Sequence, residues 1–148
     1  MRSRSTNFLQ ITVLVSGIIY VILGITFFIS PLLFGWIQGM DVNEDWLKEI
    51  PKDPFIFAVY YMGRAFAAMV FSSGLAMILP LFDPLKYRGL VYYTGVIFPF
   101  MASLILLKSG IQEANAKIII LGSIFLLLLV LTTLSLAITR KKAKSGLE

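Results

Sequence analysis

Arg64 is the one charged residue set deep within a long apolar stretch of this chain, and Tyr60 and Tyr61 stand one helical turn before it, at i−4 and i−3. A guanidinium is permanently charged and carries five N–H donors. In an apolar medium it therefore needs a carboxylate, a set of carbonyls, an aromatic face or an anionic ligand. The two phenols can bracket it from its own helix. An acid must come from elsewhere, because none of the eight Asp and Glu residues falls inside an apolar run. Glu113, between the third and fourth runs, is the first candidate; Asp41, Glu44 and Asp45, after the first run, are the others. Thr26 and Ser103 offer hydroxyls at comparable depth. Two readings stay open. Arg64 is a structural clamp onto a loop carboxylate or backbone carbonyls, or it receives the anionic head of a lipid-, quinone- or fatty-acid-like molecule between helices. The candidate binding residues are then Arg64, Tyr60, Tyr61 and Glu113.

Much other chemistry is closed to the chain. It has no cysteine and no histidine, so it offers no thiolate nucleophile, disulfide relay, Cys/His zinc site, His-ligated haem or histidine general base. No nucleophile–base–acid set can be assembled, and no metal or cofactor is expected. Proton-coupled four-helix exchangers commonly carry a membrane-embedded carboxylate or histidine, and this chain has neither within its apolar runs.

The elements that must position Arg64 follow from composition. Of 148 residues 58% are hydrophobic and 14% charged, against about 45–50% and about 25% in a soluble domain. A bilayer core of about 30 Å needs roughly 20 apolar helical residues, and four runs are long enough: 8–30, 55–82, 89–107 and 118–139. Pro31, Pro54, Pro80 and Pro84 punctuate their ends. The expectation is an all-α polytopic membrane protein, a single four-helix transmembrane domain over 1–148. The first run is too long for a signal-peptide core and no small-residue cleavage site follows, so an uncleaved helix is predicted. Arg64 then lies ten residues past Pro54, about 15 Å along its helix.

Orientation follows lysine and arginine placement. Arg2, Arg4, Lys86, Arg88 and the tail residues Arg140, Lys141, Lys142 and Lys144 fall on one side; Lys48, Lys52, Lys108 and Lys117 fall on the other. Both termini are expected to be cytoplasmic, in the cell (inner or plasma) membrane. The basic tail reads as a stop-transfer anchor or a contact with anionic lipid. Nucleic acid is not an expected partner, since no basic patch interleaved with aromatics exists outside the runs.

The loop after the first run carries the spacing of a capping box at Asp41 and Glu44, followed by Trp46, Leu47 and Ile50 on one helical face. This predicts a short amphipathic helix at the membrane interface, with Trp46 and Trp36 at headgroup depth. In the second run Gly63/Ala67 and Ala68/Ser72/Ala76 form two lines of small residues that permit close helix approach. Pro99, in mid-span with Gly95 four residues before it, predicts a kink that also serves packing.

Gly17 and Gly24, the exit sequence Ile29-Ser30-Pro31-Leu32-Leu33-Phe34-Gly35, and Gly63-Arg64-Ala65 together resemble small DoxX-like four-helix membrane proteins. The resemblance implies a compact helical bundle. Where family members work with redox partners, the cysteines needed to carry that role are missing here. The expected function is non-catalytic: an accessory or assembly subunit of a membrane complex, or a small homo-oligomer. The alternative is binding or transport of an amphipathic anionic or lipid-like molecule at Arg64. Expected partners are the bilayer, another membrane protein or a second copy, and a bound lipid or amphiphile.

Overall fold

The computed structural model describes residues 4–40, 48 and 50–144. Among them the chain is helical and contains no strand: α1 (Arg4–Ile29), α2 (Pro31–Ile37), α3 (Pro54–Ile78) with a 3-10 turn at Leu79–Phe82, α4 (Arg88–Tyr92), a π-turn at Tyr93–Ile97, α5 (Phe98–Gln112) and α6 (Ala116–Lys144). Four stretches are long and apolar enough to cross a membrane: Asn7–Ile29, Pro54–Phe82, Arg88–Gln112 and Ala116–Lys141. The third runs past its predicted end at residue 107. Lys108 faces solvent without interrupting the helix, and only Glu113, Ala114 and Asn115 connect it to α6.

Local chemistry sets the helix ends. Asp53 caps α3, its carboxylate accepting from Phe55 N at 2.8 Å and Ile56 N at 3.4 Å, with Pro54 in the first turn where no N–H is needed. Asn115 caps α6, its side-chain oxygen accepting from Lys117 N at 3.0 Å and Ile118 N at 3.4 Å. Pro31, expected only to end the first span, also starts α2 at once. The amphipathic helix predicted from Asp41, including Trp46, lies outside the described residues.

Helices this apolar have no polar face to contrast with a buried one, so close approach depends on small residues. The tightest pair is α1 with α3. A Cβ on Gly24 would lie 2.6 Å from Phe71 N, and one on Gly74 would lie 2.7 Å from Val21 N and 2.8 Å from Gly17 O. The buried face of α3 runs through Ile56, Val59, Gly63, Ala67, Val70, Gly74 and Met77. The predicted Gly63/Ala67 line is therefore a packing line, with Phe34 of α2 seated against Gly63. The neighbouring line does not pack within this bundle: Ala68 and Ser72 are exposed and Ala76 is half-buried. One residue further along a helix is a turn of about 100°, so the face beside a buried line points outward.

The core is aromatic at its centre. Tyr20 and Phe125 have ring centres 5.7 Å apart, and Phe98 stands edge-on to both. A second cluster of Leu9, Val13, Met77, Val91 and Leu136 fills the end nearer the N-terminus. Pro99 is buried, and its missing N–H falls just after the π-turn, where the helix widens instead of closing a regular bond to Gly95. Gly95 lies in close contact with α6, for a Cβ there would lie 2.5 Å from the Thr132 methyl. α5 packs along α6 but scarcely touches α3, which meets the third long helix mainly at α4 and the π-turn. The bundle is consequently open between α3 and α5 at the α2 end.

α2 is pinned to the start of α6. Asn115 Nδ2 donates to Ile37 O at 2.9 Å; Lys117 Nζ donates to Trp36 O at 3.0 Å and sits 3.6 Å from the centre of the Trp36 ring. Trp36 itself is exposed.

Candidate functional site

Arg64 sits in the third turn of α3, half-buried, and its guanidinium turns back toward the N-terminal end of that helix. Its Cζ lies 4.7 Å from the centre of the Tyr60 ring and 5.3 Å from that of Phe28 on α1. Its Nε is buried without a hydrogen-bond partner. Among the described residues no carboxylate pairs with it. Two aromatic faces attract the cation but leave its N–H donors unmet.

The predicted group is only partly brought together. Tyr60 faces Arg64. Tyr61 is exposed and packs on Phe57 at 4.5 Å and on Tyr60 at 5.3 Å, so it buttresses Tyr60. Glu113 caps the C-terminal end of α5, exposed at the rim of a different cavity, and does not reach Arg64. Its helix lies across the open side of the bundle, whereas Arg64 faces α1. Asp41, Glu44 and Asp45 lie outside the described residues. Thr26 and Ser103 donate to their own helices, to Ile22 O and Phe100 O.

Phe28 is the residue that sequence reasoning missed. It stands beside Arg64 and also lines a groove of about 400 Å³ between α1 and α3. Gly24 and Ala67 lie along this groove with Ile25, Phe71, Ala68 and Ser72. The exposed small residues thus shape a groove instead of a seam within this bundle. Arg64 stands on the Tyr60 side of it, and the apolar trough runs away toward Phe71 and Ser72. No intrahelical pattern marks Phe28, since its place beside Arg64 depends on how α1 and α3 are staggered.

Among the described residues no group of three His, Cys, Asp or Glu side chains is placed to hold a metal. Comparison with protein-family models, with curated proteins and with solved structures finds no match to this chain, so its functional reading rests on these side chains.

Proposed function

We propose that this is a non-catalytic integral membrane protein that holds an anionic amphiphile, its head on Arg64 and its chain in the α1–α3 groove. The observation that carries the reading is the guanidinium itself: half-buried, flanked by Tyr60 and Phe28, and paired with no acid among the described residues. A charge kept at this depth is a functional group by default, and an anionic head supplies what two rings cannot. Phe28 joins the cation to an apolar trough suited to an acyl chain. With both termini cytoplasmic, as the basic residues imply, the ligand belongs to the outer leaflet.

A second reading draws on Ala68 and Ser72. Their small side chains on the groove wall would admit a helix of another subunit or a second copy, making the protein an accessory or assembly subunit. Native mass spectrometry of the full chain separates the two. Palmitate, phosphatidylglycerol and phosphatidylcholine are added in turn to wild type, Arg64→Lys and Arg64→Gln. Retention of palmitate or phosphatidylglycerol but not phosphatidylcholine, kept in part by lysine and lost with glutamine, supports the amphiphile; which of the two is kept names the headgroup. Equal retention of all three by every variant overturns it. A stoichiometric protein partner or dimer that ignores lipid favours the subunit.

A further inference from the structure

The open side of the bundle holds a second cavity that the reading of Arg64 does not use. It encloses about 430 Å³ between α2, α3, α5 and α6, within the size range of small-molecule sites. Its walls are apolar: Phe34 and Ile37 from α2, Phe66 from α3, Ala102 and Leu106 from α5, Leu121 from α6. It lies where α3 makes few contacts with α5, beyond the π-turn. Its polar groups gather where α5 ends: Ser109, Glu113 and Gln38.

Glu113 is the one charged residue among the described residues that line the cavity. Glu113 is exposed, and among the described residues no lysine or arginine pairs with it. It terminates the fifteen-residue α5, whose C-terminal end is the negative pole of the helix dipole, equivalent to roughly half an electron. The nearest basic residue along the chain toward α6, Lys117, is directed to α2 by its hydrogen bond and ring contact with Trp36. An apolar cavity with a carboxylate, a helix C-terminus, a hydroxyl and an amide at one end is complementary to an alkyl chain that ends in a cation.

We propose that this cavity is a binding site for lipophilic amines, the ammonium held by Glu113 and Ser109 at the end of α5 and the alkyl chain lying between Phe66 and Leu106. It is distinct from the Arg64 groove in position and in sign.

The absence of native cysteine makes the test direct. Ser109→Cys, or Gln38→Cys should the first not fold, places a sole thiol at the cavity. Its alkylation by N-ethylmaleimide is timed in phosphatidylcholine nanodiscs with dodecylamine, dodecanol or dodecanoate. Dodecylamine is expected to slow labelling about fivefold, the discrimination that one partly exposed ion pair supports, while dodecanoate leaves it unchanged. Adding Glu113→Gln removes the preference; adding Arg64→Gln leaves it intact, which separates this site from the amphiphile groove. Equal slowing by amine and acid, slowing by neither, or equal slowing at an exposed Gln112→Cys thiol overturns the proposal.

Discussion

Phe28 on α1 stands 5.3 Å from the Arg64 guanidinium and lines the apolar groove beside it. One ring therefore connects a half-buried cation to a trough of the size and polarity of an acyl chain. Replacing it probes both halves together. Phe28→Ala should lower palmitate or phosphatidylglycerol retention in the same direction as Arg64→Gln, and Tyr60→Leu should weaken it through loss of the nearer ring, worth about 0.5–2 kcal/mol. Retention read by native mass spectrometry checks both.

In lipid-free detergent, Arg64→Gln should unfold within about 1 kcal/mol of wild type, because no acid is left stranded by the change. A loss of about 3–5 kcal/mol, as follows when a buried ion pair is broken, would instead mark Arg64 as a clamp. Denaturant titration followed by circular dichroism measures it.

Gly24 and Gly89 make a matched pair. Gly24→Ala drives a methyl to 2.6 Å from Phe71 N and should cost about 1–3 kcal/mol by forcing α1 and α3 apart. Gly89 has nothing within 4 Å of a built Cβ, and Gly89→Ala should be neutral or gain up to about 1 kcal/mol from helix propensity. The same denaturant titration ranks them.

Two helix ends share one motif with different residues at its left-handed position. α2 closes with Met40 N donating to Gly35 O at 3.1 Å and Gly39 N to Trp36 O at 3.2 Å, with Gly39 at φ 84. α5 closes with Asn115 N donating to Gly110 O at 2.9 Å and Ala114 N to Ile111 O at 3.3 Å, with Ala114 at φ 49. Alanine pays a steric penalty there that glycine does not. Ala114→Gly should stabilise by about 0.5–1 kcal/mol and Gly39→Ala destabilise by about 1–2 kcal/mol, read as opposite shifts in thermal midpoint.

The tie between α2 and α6 depends on Asn115 and Lys117. Asn115→Ala removes a helix cap and the bond to Ile37 O together and should cost about 1–2 kcal/mol. In a Trp46→Phe background, where Trp36 is the sole tryptophan and is excited selectively at the red edge, Lys117→Met should shift its emission as the 3.6 Å cation contact is lost. Unchanged emission would show that α2 holds its place without Lys117.

What could be read ahead of the fold was whatever a single helix decides. Arg64 and Tyr60 meet because residues four apart share a helical face, and Asp53–Pro54 starts α3 through its own carboxylate and ring. That Glu113 stands away from Arg64 was not legible, because it depends on which helices face each other. Likewise Gly63/Ala67 and Ala68/Ser72 have the same spacing, and nothing in that spacing says which line is buried.

By itself the sequence determined four apolar helices, an interior without thiol or imidazole, and one arginine within an apolar helix. The tertiary structure alone decided that Phe28 stands beside that arginine, that Ala68 and Ser72 face outward, and that α3 and α5 part to leave a cavity ending at Glu113. The reason is physical. In water a helix advertises its buried face by contrast with a polar one, whereas helices that cross lipid are apolar all round. Which faces touch is then settled by steric fit between helices, here Gly17 and Gly24 against Phe71 and Gly74.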